Sequence, residues 1–296
     1  MRVFVTGATG FIGSAVVREL IDAGHQVAGL ARSDAGSRSL VAAGAQVHRG
    51  DLEDLESLRT GAAKSDAVIH LAFNHDFSKY VANCETDRRV IEALGSVLVG
   101  SDRLLIVTSG TGMASSRPGL RATEDDLKAS SKVVPRAASE EAAALVAARG
   151  GRVAIVRLPQ VHDTEKQGLV SLAIALAREK GVSAYVGDGH NRWPAAHRLD
   201  TAHLYCLALQ KADAGARYHA VAEEGVPVRD IAGVIGKGLN VPVVALSPEE
   251  AQGHFGWLAA FAGLDMPASS AQTRKQLGWD PTGPGLIADL KNMRYS

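Results

Sequence analysis

A glycine-rich segment near the start of the chain restricts the fold more than any other feature of the sequence. The residues VTGATGFIG place three glycines between a short apolar strand and an amphipathic helix. In a strand-loop-helix unit, such glycines permit a tight turn, a close approach of the backbone to a pyrophosphate, and close packing of the helix on the strand. Amides at the helix start then face the phosphates, whereas a plain tight turn is the alternative. The pattern predicts a dinucleotide site made by Gly7, Thr9, Gly10, Phe11, Ile12 and Gly13.

Short β-rich segments alternate with helical segments through the first half of the chain. The predicted strands are Arg2–Val5, Val27–Leu30, Gln46–His48, Ala67–Leu71, Leu104–Val107 and Val153–Val156. This alternation predicts parallel strands joined by crossover helices. Near-continuous apolar strands such as AVIHLA indicate a sheet that helices cover on both faces. The predicted fold class is therefore α/β, a doubly wound parallel sheet of the Rossmann type.

The alternation loosens after about residue 157, where Gly187, Gly189 and Pro194 interrupt the pattern. We predict a dinucleotide-binding domain over residues 1–160, with a return at about 195–225. A smaller C-terminal substrate lobe is predicted over 161–194 and 226–296. The length of 296 residues agrees with about two lobes.

The composition points to a small-molecule ligand. The chain has 32 basic and 32 acidic side chains, so no net field would attract nucleic acid or an anionic membrane. No stretch approaches 18 apolar residues, and the N-terminus lacks the pattern of a signal peptide. Cys84 and Cys206 lack metal or redox spacing and indicate inert thiols in a reducing compartment. We expect a cytoplasmic protein without a metal site.

The residues after the second and third predicted strands bear on the choice of cofactor. Arg32 and Ser33 stand where an NAD enzyme usually carries an acidic residue for the ribose 2′-hydroxyl. An arginine fork suits a 2′-phosphate, so we predict NADP(H) rather than NAD(H). The alternative makes Asp34 the ribose acid and Arg32 a solvated surface charge. Further on, Asp51 would accept the adenine amine and Leu52 would pack on the ring, unless Asp51 caps the next helix.

Several motifs carry a resemblance to a known family. They are TGATGFIG, GDLEDL, VIHLAF, RLPQV and the later block YVGDGHNRWPAAHRLDTAHLYCLAL. The sequence resembles the extended and atypical short-chain dehydrogenase/reductases, the NAD-dependent epimerase/dehydratase group. The resemblance covers nearly the whole chain, although the C-terminal third is similar only in layout. It implies that Leu71 and Ala72 lie by the cofactor ribose, and that Pro159 to Val161 lie near the nicotinamide.

The usual catalytic pattern of that group, Tyr-x-x-x-Lys, is missing. None of the five tyrosines is followed four positions later by a lysine. Aligned on helix position, Arg136 stands where the tyrosine would be and Glu140 where the lysine would be. Arginine hardly ever deprotonates, so Arg136 is expected to polarise a carbonyl or clamp a phosphate, and Glu140 to accept ribose hydroxyls. The alternative is an ordinary i,i+4 pair on a solvated helix start.

Other polar residues follow the predicted strands, where doubly wound folds bind ligands. Ser109 and Thr111 come after the fifth strand, and Ser109 overlays the catalytic serine of the family better. Either hydroxyl would hydrogen-bond a substrate carbonyl, or would satisfy backbone groups in the turn. His75 and His162 follow the fourth and sixth strands, and either would replace the tyrosine as proton donor. The alternative is that both are solvated loop residues.

Aromatic residues of the C-terminal part are expected to line an apolar substrate pocket, with ordinary core packing as the alternative. They are Trp193, Tyr218, Phe255, Trp257 and Phe261. The stretch HFGWLAAFAGL is predicted to be a helix hydrophobic on all sides, buried in the lobe or in a homodimer contact.

The sequence as a whole predicts an NADP(H)-dependent oxidoreductase that reduces a carbonyl or related group of a small apolar substrate. The missing Tyr-x-x-x-Lys pair motivates a second hypothesis, a redox sensor that binds NADP(H) without turnover. A sugar-nucleotide epimerase or dehydratase is disfavoured, because those enzymes need the tyrosine base and usually a basic cluster for the substrate diphosphate.

Overall fold

The computed structural model describes residues 1–113, 120–126 and 130–295. In chain order the strands are β1 (Arg2–Thr6), β2 (Gln26–Ala31), β3 (Gln46–Arg49), β4 (Ala67–His70), β5 (Leu104–Gly110), β6 (Arg152–Leu158), β7 (Gln160–His162), β8 (Ser183–Val186), β9 (Arg192–His197), β10 (Arg217–His219), β11 (Glu223–Pro227) and β12 (Val243–Leu246). The helices are α1 (Phe11–Asp22), α2 (Asp34–Ala42), α3 (Leu55–Ala63), α4 (Tyr80–Ser96), α5 (Ala138–Ala148), α6 (Val170–Lys180), α7 (Arg198–Lys211), α8 (Val228–Leu239), α9 (Pro248–Phe255), α10 (Ala259–Ala262), α11 (Ala271–Leu277) and α12 (Leu286–Asn292).

A seven-stranded sheet forms the centre of the molecule, in the order β10-β6-β5-β4-β1-β2-β3. All neighbouring strands in it run parallel. The strand order reverses between β1 and β4, and the carboxyl ends of strands at such a reversal are where this fold binds ligands. The prediction of a doubly wound parallel sheet is confirmed. Each of the six predicted strands is present, five with slightly longer bounds and β4 with one residue fewer than predicted.

Alternating side chains of the central strands build a core on each face of the sheet. Val3 and Val5 pack with α1 and α7 on one face, while Phe4 packs with α3, α4 and α5 on the other. All three side chains are fully buried. This arrangement is the reason that the strands read as near-continuous apolar runs in the sequence.

The C-terminal part carries two smaller sheets. One has the order β11-β9-β7, and β12 pairs with β8 in the other. A separate apolar core joins α6, α8 and α12 to Trp193 of β9. Strand β10 and helix α7, from the range predicted to return to the first domain, lie on the central sheet. The domain boundaries stay a prediction. Within the described ranges, no helix has the length and apolar character to cross a membrane.

The prediction of a continuous apolar helix over HFGWLAAFAGL is wrong. Helix α9 ends at Phe255, and Gly256 follows in the left-handed region of φ (56°). A 3₁₀ turn over Gly256–Leu258 then leads into the short α10. Gly256 therefore breaks the helix, because glycine enters that backbone region without a steric penalty.

Most of the aromatic residues predicted to line a pocket belong to apolar cores, and two of them, Trp193 and Phe255, also border a small apolar cavity beside α8 and β8. Trp193 and Tyr218 are buried within separate cores, and Phe255 packs in a third apolar cluster. Trp257 differs, since it is 44% exposed and stacks on Phe77 with ring centroids 4.2 Å apart.

Candidate cofactor and active site

The glycine loop between β1 and α1 has the shape of a phosphate cradle. Gly7 has a φ of 67°, and a Cβ there would lie 2.7 Å from the backbone nitrogen of Ala72. A Cβ on Gly13 would lie 2.0 Å from the carbonyl oxygen of Gly7. Gly10 N donates to Gly7 O (2.9 Å), and Ser14 N donates to Gly10 O (3.0 Å).

The first helical hydrogen bond of α1 comes from Ser14, so the amides of Phe11, Ile12 and Gly13 precede it and lack an acceptor in the helix. These amides are free to face a bound anion, and Thr9 is exposed at the rim of the same loop. The residues present therefore fit the pyrophosphate of a dinucleotide, as predicted.

The adenosine end of the predicted site follows β2. Ser33 caps α2, with its Oγ accepting a hydrogen bond from Gly36 N (3.1 Å). Arg32 is exposed and makes no ion pair within the described part of the chain. Asp34, the alternative ribose acid, pairs with Arg49 at 3.1 Å. Arg49 was not among the cofactor residues predicted from the sequence. Its position at the end of β3, which pairs with β2 at Ala31, could have indicated that it lies near the adenosine end of the site.

Asp51 does not cap the following helix. Its Oδ1 accepts hydrogen bonds from Glu53 N (2.8 Å) and Asp54 N (3.2 Å), while Asp54 caps α3 by accepting from Ser57 N. The suggested cap role of Asp51 is therefore wrong. Leu52 is half-buried against the core under β2 and β4, and the adenine contacts of both residues stay a prediction.

Leu71 and Ala72 directly follow β4 and lie against the glycine loop. Leu71 N donates to Thr6 O and Ala72 N donates to Thr6 Oγ1, both at 3.3 Å. Pro159 follows β6 at the same carboxyl edge of the sheet. All three residues therefore lie at the carboxyl edge of the sheet, and their contacts with the ribose and the nicotinamide stay a prediction.

Ser109 and Thr111 differ in their hydrogen bonding. Thr111 Oγ1 donates to Leu158 O at 3.3 Å, so this hydroxyl satisfies a backbone group. Ser109, at the carboxyl end of β5, is 4% exposed, and its Oγ has no hydrogen-bond partner among the residues that the structure describes. A buried hydroxyl without a partner is costly, so Ser109 is the better candidate to bind a substrate carbonyl.

Arg136 precedes α5 in a 3₁₀ turn and is held from several sides. Its Nη1 donates to Asp87 Oδ2 at 2.8 Å and its Nη2 to Thr108 O at 3.1 Å. Its guanidinium carbon lies 4.2 Å from the ring centroid of Phe73, and Ser139 Oγ is a further contact. The positive charge is thus fixed next to the strand end that carries Ser109.

Glu140 does not occupy the place of a ribose ligand. It is 2% exposed and accepts two hydrogen bonds from Arg157 of β6, at 2.8 and 2.9 Å. Arg157 is fully buried. The expected ribose contact and the alternative Arg136–Glu140 surface pair are therefore both wrong, because the two residues bind different partners inside the protein.

A buried polar chain that the sequence did not reveal runs from β1 to α4. Thr6 Oγ1 lies 2.7 Å from His70 Nδ1, and His70 Nε2 lies 2.9 Å from Asp87 Oδ1. Although burial opposes ionisation, the charge of Arg136 and the hydrogen bonds from His70 and Ser139 hold the pKa of Asp87 below its usual range. Asp87 is therefore an anion that fixes Arg136. A histidine inside the apolar run AVIHLA was the available signal.

The two candidate histidines have different surroundings. His75 is exposed beyond β4, where partial desolvation and the positive charges of Arg136 and Lys166 lower its pKa. His162 lies in β7, is fully buried, and places Nδ1 2.7 Å from Asp289 Oδ2. The expectation of a solvated loop is wrong for His162, and its burial also removes it as a proton donor to substrate. The lowered pKa favours the neutral form of His75 at pH 7, so only a small protonated fraction is available to donate a proton.

The reversed strand order, the glycine loop and the polar strand ends define a dinucleotide-binding protein of the Rossmann class. The chain belongs to the NAD dependent epimerase/dehydratase family, whose model matches residues 3–222. The family comprises oxidoreductases, epimerases and dehydratases that use a nicotinamide dinucleotide. In the described part of the chain, no group of three or more His, Cys, Asp or Glu side chains is placed to hold a metal ion.

Three relatives illustrate the range of this family. An uncharacterized protein of Schizosaccharomyces pombe, C2A9.02, is 50% identical over 296 residues, which is 100% of both chains. A 2-alkyl-3-oxoalkanoate reductase of Stenotrophomonas maltophilia is 30% identical over 266 residues, covering 82% of this chain and 77% of the relative. The structure of DesIV, a dTDP-glucose 4,6-dehydratase of Streptomyces venezuelae with NAD bound, shares the fold at a TM-score of 0.78 and 22% identity, covering 99% of this chain and 95% of DesIV.

Proposed function

We propose that the protein is an NADP(H)-dependent oxidoreductase that reduces a carbonyl or related group of a small apolar substrate. The observation that carries the proposal is the buried Ser109 hydroxyl at the end of β5, which has no partner among the described residues and lies beside the fixed charge of Arg136. The relative described as a 2-alkyl-3-oxoalkanoate reductase supports a carbonyl substrate. When bound, the nicotinamide supplies the hydride.

The side chains of the protein bind the substrate carbonyl and stabilise the charge that develops on it. Ser109 Oγ donates a hydrogen bond to the substrate carbonyl oxygen, and the Arg136 charge stabilises the negative charge that develops on that oxygen. Asp87 keeps Arg136 in place through the 2.8 Å hydrogen bond. Because Arg136 does not release a proton, the alkoxide takes its proton from ordered water or from His75. His75 can serve only in the small protonated fraction present at neutral pH.

Ser109→Ala is expected to lower kcat/KM about tenfold to a hundredfold, because it removes a hydrogen bond aimed at the developing oxyanion. NADPH affinity should stay unchanged. The measurement is NADPH oxidation against a panel of small apolar ketones and aldehydes. Thr111→Ala is the matched control, since its hydroxyl already serves Leu158 O. Equal rates for both variants and the wild type would remove Ser109 from the active site.

Arg32→Ala is expected to weaken NADPH binding by about tenfold to a hundredfold and to leave NADH binding about the same. The reason is that Arg32 has no carboxylate partner in the described ranges and follows the strand whose end meets the adenosine ribose. Titration calorimetry with NADPH and with NADH measures the two dissociation constants. Equal losses for NADPH and NADH would show that Arg32 does not read the 2′-phosphate.

A sensor that binds NADP(H) without turnover is the second candidate. It is favoured by the structural use of Glu140 and Arg136, which bind Arg157 and Asp87 inside the protein. Tight NADPH binding with no oxidation over the whole carbonyl panel would favour the sensor. The cytoplasmic location and the homodimer stay predictions.

A further inference from the structure

An ion pair between Arg49 and Asp34 lies at the adenosine end of the cofactor site. Arg49 Nη2 lies 3.1 Å from Asp34 Oδ1, and Arg49 Nη1 donates to Ser37 Oγ at 2.8 Å. Asp34 and Ser37 are three positions apart on α2 and so share one face of the helix. The two terminal nitrogens of Arg49 therefore span the first turn of α2.

The parallel pairing of β2 and β3 holds Arg49 in this place. Ala31 pairs with Arg49 in the register, and Gly50 N donates to Ala31 O at 3.3 Å. Arg49 consequently lies at the carboxyl edge of the sheet next to the segment of Arg32. From this position the Arg49 guanidinium contacts Asp34 directly.

Arg32 and Asp34 carry opposite preferences for the cofactor. A carboxylate at the end of the second strand accepts ribose hydroxyls, and its charge repels a 2′-phosphate. A guanidinium at the same place attracts the phosphate. The Asp34 side chain is 82% exposed, so a ligand can approach its carboxylate directly. When both Arg32 and Asp34 are present, a third charged group is needed to favour NADP(H) or NAD(H).

We propose that Arg49 is the residue that decides cofactor choice, because its pairing with Asp34 neutralises the carboxylate that would otherwise favour NAD(H). Arg32 and the Ser33 hydroxyl then hold the 2′-phosphate of NADP(H). Ser33 Oγ accepts from Gly36 N and so keeps its own proton free to donate to phosphate. The inference rests on the proposed use of NADP(H).

A double-mutant cycle on Arg49 and Asp34 tests this role by binding alone. Arg49→Ala should weaken NADPH binding about tenfold and tighten NADH binding severalfold, because Asp34 becomes free to bind ribose hydroxyls. Asp34→Ala should leave NADPH binding unchanged or tighter. The double variant should bind NADPH within about twofold of the wild type, since the carboxylate to be neutralised is gone. Calorimetry at low ionic strength measures each constant.

Arg59→Ala is the matched control. Arg59 also forms a surface pair at 3.1 Å, with Glu56 three positions earlier on α3, and lies outside the segments of Arg32, Asp34 and Arg49. It should leave both constants unchanged. In about 0.5 M salt the Arg49→Ala effect on NADPH should shrink, because the interaction is between exposed charges.

Two results would overturn the inference. One is an Arg49→Ala loss of NADPH affinity that is equally large with and without Asp34→Ala, which would mean that Arg49 binds the phosphate directly. The other is no loss at all. The proposed function has its own test: a wild-type protein that binds neither dinucleotide would exclude the use of NADP(H), and with it the premise of this inference. If Arg32→Ala alone has no effect while the cycle behaves as expected, the role of Arg49 stands without Arg32.

Discussion

Gly7→Ala is expected to weaken nicotinamide dinucleotide binding by more than about a hundredfold and to destabilise the protein by about 2 kcal/mol or more. A Cβ at Gly7 would lie 2.7 Å from Ala72 N and 2.9 Å from Leu71 C, both backbone atoms that cannot turn away. The φ of 67° adds a second penalty for a side chain. The loop must shift to relieve the contact, and with it the amides at the start of α1 leave the position of the pyrophosphate.

Gly24→Ala separates the two causes of that loss. Gly24 has a φ of 81°, yet a Cβ there would meet nothing within 4 Å. It should cost about 1 kcal/mol through the backbone penalty alone and leave cofactor binding unchanged. Calorimetry with NADPH and denaturant unfolding of both variants give the comparison. Normal NADPH affinity in Gly7→Ala would mean that the loop does not hold the cofactor.

Six of the seven strands of the central sheet were predictable because their signal is local, whereas the three-residue β10 was not predicted. A buried parallel strand needs apolar side chains on both faces, and the segments LLIV and AVIHLA show this pattern within a few residues. The predicted bounds were too short where polar residues are buried. Strand β5 continues through Thr108 and Ser109, whose side chains are polar yet nearly inaccessible. Periodicity does not reveal that a hydroxyl such as Thr108 Oγ1 has a buried partner, here Tyr205 at 2.7 Å.

The glycine loop of the candidate site was also predictable from the sequence, whereas the polar contacts around Arg136 and Glu140 were not. Glycine spacing in one loop encodes a cradle directly, as Gly7 and Gly13 show. The partners of Arg136 and Glu140 are set by tertiary packing over long separations, with Asp87 in α4 and Arg157 in β6. Arg136 also lies in a 3₁₀ turn before α5, so a helical i,i+4 rule does not relate it to Glu140.

Glu140→Ala is expected to lower the free energy of unfolding by about 3–5 kcal/mol, because it leaves the Arg157 guanidinium buried without its anion. Both side chains are almost inaccessible, and the two hydrogen bonds between them are 2.8 and 2.9 Å long. Among the described residues, the other hydrogen bonds of Arg157 go to the carbonyl oxygen of Asp126 and the ring of His219, and neither group is an anion. Urea unfolding followed by circular dichroism measures the change.

Glu141→Ala is the control, on the same helix and one residue further. Glu141 is 27% exposed, pairs with Arg88 at 2.7 Å and accepts hydrogen bonds from Ser131 N and Oγ, so its loss should cost about 2 kcal/mol, less than the loss of Glu140. NADPH affinity, measured on the folded fraction, should match that of the wild type in both variants. A Glu140→Ala protein of normal stability but weakened NADPH binding would reverse our assignment and return Glu140 to the cofactor ribose. The cost is expected in folding because a buried guanidinium that loses its carboxylate cannot regain water without opening the contact between α5 and β6.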